Sequence, residues 1–64
     1  MGEIKIFRDP ENIYEEGSIH PIEEIVRDFE DCNTDELMEW LYGIPIPAAI
    51  DFICKSWGLD YEFV

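Results

Sequence analysis

With 64 residues, the chain offers a single domain, 1–64, near the lower limit at which a core without staples holds a fold. A hydrophobic fraction of 47% is too high for a disordered acidic tail, because enough apolar surface exists to offset chain entropy. Sixteen acidic residues against four basic ones give a net charge of −12, which argues against DNA, RNA or anionic lipid as a direct ligand and for a cationic partner.

Self-repulsion at that charge density opposes folding, so added salt is expected to raise the melting temperature. Thermal scans at low and high ionic strength that coincide would remove the idea. No apolar run approaches the roughly 20 residues of a membrane span, and the N-terminus lacks a basic stretch followed by an apolar one. A cytoplasmic protein without a membrane partner is expected. Cys32 and Cys54 are then expected as reduced thiols, Cys54 as a small core residue.

Residues 3–8 read E-I-K-I-F-R, a strand with Ile4 and Ile6 on one face and Lys5 and Phe7 on the other. Asp9-Pro10 ends it, since proline removes a backbone donor and restrains its neighbour. Residues 11–17 form a polar loop around Ile13 and Tyr14, closed by Gly17.

The first helix starts at Ile22, with Ser18 or His20 as its cap, Pro21 in its first turn, and Glu23 and Glu24 at the positive end of its dipole. Ile22, Ile25, Val26 and Phe29 follow the i, i+3, i+4, i+7 rule for one buried face. Glu23, Glu24, Arg27, Asp28 and Asp31 occupy the other. Asp31 stands at the negative end of the dipole, where a carboxylate is unfavourable.

Asn33 and Thr34 offer a cap for a second helix, Asn33 and Glu36 having capping-box spacing. Leu37, Met38, Trp40, Leu41 and Tyr42 make that helix mostly apolar and central to the core. Gly43 is expected to end it in the left-handed conformation. Pro47 opens a third helix over 48–57, closed by Gly58, with Ile50, Ile53, Cys54 and Trp57 as its buried stripe and Ala49 at the edge. Asp51 and Lys55 form an i,i+4 pair on its wet side, and Phe52 falls between the faces.

Residues 59–64 alternate apolar and acidic side chains, the signature of a half-buried strand. Two lone strands at the chain ends are best satisfied by pairing with each other. The expected fold is α+β, in the order β-α-α-α-β, with three helices packed on a two-stranded terminal β-ribbon.

Residues 36–54 resemble a helix-turn-helix unit. With Gly43 as the turn glycine, Met38, Tyr42, Ile44, Ala49 and Phe52 take its apolar positions, while Glu39 replaces the small residue usual four before the glycine. The resemblance implies a second helix that reads base edges. Here that surface would be Pro45, Ile46, Pro47, Ala48, Asp51 and Lys55, one cation beside an opposing anion, so DNA reading is not expected and a plain trihelical core is favoured.

No catalytic or cofactor motif emerges, and the chain is expected not to be an enzyme. His20 is the only histidine and neither cysteine has a partner at zinc spacing. A D-x-[DN]-x-[DN]-G loop, a nucleophile elbow and a phosphate-binding glycine loop are all missing. No cofactor and no metal are expected. Tyr14 in I-Y-E-E has acidic neighbours of the kind tyrosine kinases favour, a match short enough to arise by chance.

The remaining feature is an acidic wall of Glu23, Glu24, Asp28, Glu30, Asp31, Asp35, Glu36 and Glu39, interrupted only by Arg27. A secondary patch comprises Asp9, Glu11, Glu15 and Glu16. Residues three or four apart on a helix stand about 5–6 Å apart, comparable to successive phosphates of a nucleic-acid strand. In size, charge and lack of catalytic motifs the chain resembles the small acidic proteins that phages use against host defences, such as anti-CRISPR and other DNA-mimic inhibitors. That likeness implies a partner that is basic and nucleic-acid-binding. The competing reading is a hydrophobic docking module, acting as a homodimer, an antitoxin-like partner or a regulatory subunit, whose contact surface is Ile44, Pro45, Ile46, Phe52 and Trp57.

Overall fold

In the computed structural model, which describes residues 2–64, the first strand β1 (Glu3–Arg8) runs up the middle of an antiparallel sheet. On one side it pairs with β3 (Asp60–Phe63), Ile4 opposite Phe63 and Ile6 opposite Tyr61. The terminal ribbon expected from the alternating patterns is therefore present. On the other side lies β2 (Ile19–Pro21), with Ile4 opposite His20. This third strand corrects the two-stranded expectation. Three residues are too few to show a period, and β2 exists because β1 supplies its hydrogen bonds.

Three helices follow β2: α1 (Ile22–Asp31), α2 (Asp35–Tyr42) and α3 (Ile46–Ser56); α1 and α3 pack against the sheet and each other, as expected, while α2 packs mainly on α3. The α+β class and the helix order agree with expectation. Ile4, Ile6, Ile25, Ile50, Ile53 and Cys54 are fully buried where sheet and helices meet. The opposite sheet face, with Phe7, Ile19 and Glu62, is open to solvent.

Several local expectations change. Neither Ser18 nor His20 caps α1: Pro21 holds the cap position with no side-chain bond, instead of lying in the first turn. The Ile22 amide donates to the Gly2 carbonyl at 2.7 Å, so the sheet satisfies a donor that a side chain would otherwise cap. Thr34 caps α2 by accepting from the Leu37 amide at 3.4 Å, while Asn33 turns back and donates to the Phe29 carbonyl at 2.9 Å, closing α1. Gly43 ends α2 at φ −86°, in the right-handed region, its amide donating to the Trp40 carbonyl at 3.1 Å, and α3 begins three residues later. Helix α3 begins two residues earlier than expected, since Pro47 in its first turn lacks only an amide that would find no intrahelical partner.

The loop from Asp9 to Gly17 differs most from its polar appearance. Asp9 is only 6% exposed and Tyr14 only 8%. The Asp9 carboxylate accepts the Tyr14 amide, and the Tyr14 ring packs against His20 at 4.6 Å and Trp57 at 6.0 Å between centroids. Gly17 at φ +86° turns the chain into β2, a conformation that favours glycine. Cys54 is a buried free thiol, as expected, and Cys32 an exposed one.

Candidate protein-binding surface

The wall divides into carboxylates that serve the fold and carboxylates that face outward. On α1, Glu24, Asp28 and Asp31 follow one another at i, i+4 and i+7 along one flank, while Glu23, Arg27 and Glu30 do so along the other. Asp28 accepts the Tyr14 hydroxyl at 2.6 Å, fastening the buried loop to α1. Glu24 meets the His20 ring at 2.8 Å. Glu30 accepts the Tyr42 hydroxyl at 3.2 Å, which links α1 to the end of α2. These three of the sequence-predicted set therefore carry internal contacts.

The remaining five, Glu23, Asp31, Asp35, Glu36 and Glu39, are exposed and accept no hydrogen bond from the described residues. Arg27 forms no ion pair among the described residues, whereas Asp51 and Lys55 pair at 3.0 Å. The last turn of α1 has no basic residue, so Asp31 is left at the negative end of its dipole.

In the secondary patch Glu11, Glu15 and Glu16 are exposed, but Asp9 is not and leaves the candidate contact surface. It organises the loop instead. Its amide donates to Glu16 at 3.4 Å, and its second carboxylate oxygen is buried without a donor among the described residues.

Ser18, His20 and Glu24 form a chain of contacts, 2.7 Å from the Ser18 hydroxyl to one ring nitrogen and 2.8 Å from the other to the carboxylate. The connectivity matches a catalytic triad. Its surroundings do not suit acyl transfer. The Ser18 hydroxyl and amide both donate to the Glu15 carbonyl, and the Gly17 amide donates to Ile6 at 2.6 Å. Nearby amides are thus committed, whereas a nucleophile needs free donors for its oxyanion. What the chain does is tie β2 to α1.

The apolar alternative is redrawn by the fold. Trp57 packs on Phe29 at 5.4 Å and on Tyr14, half-buried against the core. Phe52 lies between Phe29 at 6.2 Å and Trp40 at 5.1 Å, half-buried. Of the expected surface Pro45 and Ile46 (51%) are exposed, and Trp40 (51%) and Tyr42 (62%) join them as exposed apolar residues of this region. This reverses the expectation that Trp40 and Tyr42 lie in the core, and it removes Tyr42 from the interior position the helix-turn-helix likeness gives it. Helical spacing carries the signal: Met38 and Leu41, three apart, define the buried face, and residue 40 falls well off it.

Compared with known proteins, the chain matches no family model, no curated protein and no solved structure. No helix among the described residues is long and apolar enough to cross a membrane.

Proposed function

We propose that this is a binding protein, without catalytic activity, whose acidic wall occupies the basic nucleic-acid-binding surface of a partner protein. The observation that carries the reading is the set of five exposed carboxylates on α1 and α2 that no internal contact uses. Asp31, Asp35, Glu36 and Glu39 are close along the chain and repel one another; Asp35 and Glu36 gain from the positive end of the α2 dipole, but Asp31 stands at the negative end of α1 and has no such compensation. A cationic surface would relieve that repulsion on binding. Carboxylates about 5–6 Å apart along a helix offer such a surface a phosphate-like series. An anti-defence role of the DNA-mimic kind, exercised in the cytoplasm, is the narrower form of the same proposal.

The test uses the immobilised protein to capture partners from host lysate, with duplex DNA as the eluent. A nucleic-acid-binding protein is expected to leave with DNA, and its affinity to fall at least about tenfold between roughly 50 and 200 mM salt. Reversal of Asp31, Glu36 and Glu39 to lysine, at exposed positions without internal partners, should abolish capture while leaving the circular dichroism spectrum unchanged. Capture that survives the triple reversal would show the wall to be mere solvated surface.

A further inference from the structure

Between α2 and α3 runs a shallow groove walled by Trp40 and floored by Ile44, Pro45, Ala48 and Phe52. The acidic wall does not account for it. Trp40 is 51% exposed on a helix whose Met38 and Leu41 are each 3% exposed. Its ring meets Phe52 edge to face at 5.1 Å and 69°, an arrangement that holds the indole upright as a wall rather than letting it fold over the gap. Large apolar surface left in water costs free energy, and tryptophan is among the side chains that concentrate binding energy at protein interfaces.

The charges around the groove select its occupant. Glu36 stands one turn before Trp40 on the same side of α2, and Glu39 adjoins it. Across the groove Asp51 and Lys55 pair at 3.0 Å and offset each other. The charges lining the groove therefore cancel, and the excess beside its apolar centre is that of Glu36 and Glu39 on α2, the reverse of a segment that carries bulky apolar side chains flanked by lysine or arginine. A second copy of this chain would place its own Glu36 and Glu39 against the same rim in a two-fold contact, so like charges would oppose it. We infer that the groove takes a bulky apolar side chain from a basic amphipathic segment of the partner. The inference rests on the cationic-partner reading and adds to it an apolar anchor that a nucleic acid does not supply.

Two synthetic lysine-rich helical peptides of equal length and charge test it, one with leucine and phenylalanine along one face and one with those positions changed to serine. Titration calorimetry should show the anchored peptide binding at least about tenfold tighter. Ala48→Gln, a neutral plug at an exposed groove position, should erase that advantage and leave affinity for the serine peptide unchanged; Trp40→Ala should do the same. Equal binding of both peptides to the unaltered protein, or an advantage that survives Ala48→Gln and Trp40→Ala, would overturn the groove and leave the acidic wall standing. If neither peptide binds, the cationic-partner reading falls and this inference with it. A concentration-dependent dimer that Ala48→Gln dissociates would make a second copy the occupant and likewise overturn the inference.

Discussion

Replacing Tyr14 by alanine is expected to remove about 3–5 kcal/mol, the range for deleting a buried aromatic ring. A domain of this length has about 3–10 kcal/mol in total. The ring is 8% exposed and joins three parts of the fold. It packs, tilted, on His20 of β2 at 4.6 Å, reaches Trp57 after α3 at 6.0 Å, and donates its hydroxyl to Asp28 of α1 at 2.6 Å. Since 1 kcal/mol moves the midpoint of so small a domain by about 4–8 °C, the variant should melt at least about 12 °C lower or show no cooperative transition. Tyr14→Phe keeps the packing and loses one hydrogen bond, so it should cost about 1 kcal/mol. Thermal denaturation followed by circular dichroism decides the matter. If Tyr14→Ala melts where the unaltered protein does, the loop from Asp9 to Gly17 is no part of the core.

The protein is also expected to unfold in alkali over a narrow range. All three tyrosines donate their hydroxyls to carboxylates, Tyr14 to Asp28, Tyr42 to Glu30 and Tyr61 to Asp51, at 2.6, 3.2 and 2.9 Å. Ionising any of them would set an anion against an anion. Burial, reinforced by Asp28, holds the Tyr14 hydroxyl far above its ordinary range. Burial and then Asp51 push Tyr61 up to about 12. Desolvation and the Glu30 charge raise Tyr42 as well, and burial pushes the Cys54 thiol up to about 12. Each of these groups is an acid whose neutral form the fold prefers. Their contribution to stability is therefore complete below the unfolded values and is lost as pH rises from there toward the folded ones. Tyrosinate absorbance and loss of helical circular dichroism should rise together above about pH 10, in one step. Tyr14 and Tyr61 titrating near pH 10 while the helical signal stays intact would contradict this account.

The same tyrosines bear on how the acidity is used. Asp28 and Glu30 belong to the acidic wall, yet each has a tyrosine hydroxyl bound to it. A charge-reversal series that included them would confound folding with binding, which is why Asp31, Glu36 and Glu39 are the positions to change. The fold thus employs part of a surplus of carboxylate and leaves the rest facing water.

Periodic stretches were legible from the chain alone. Ile22, Ile25 and Phe29, then Ile50, Ile53 and Cys54, recur at helical spacing and are buried. The alternation around Ile4, Ile6, Tyr61 and Phe63 placed both terminal strands and their pairing. Of the candidate site, the exposed Glu23, Asp31, Asp35, Glu36 and Glu39 follow from helix geometry, because a residue opposite an apolar stripe faces water.

Elsewhere the outcome depended on contacts between residues far apart in sequence. The strand β2 is held by β1, the burial of Asp9 and Tyr14 by Asp28 and Trp57, and the exposure of Trp40 and Tyr42 by the side of α2 that α3 leaves uncovered. Strand β2 and the burial of Asp9 and Tyr14 have no local period to announce them. Composition and spacing thus determined the net charge, the helices and the terminal ribbon, since these follow from short-range geometry and from counting. Only the tertiary structure decided which carboxylates are taken up by Tyr14, His20 and Tyr42. Burial is a property of what packs above a residue, and that neighbour is chosen by the whole chain.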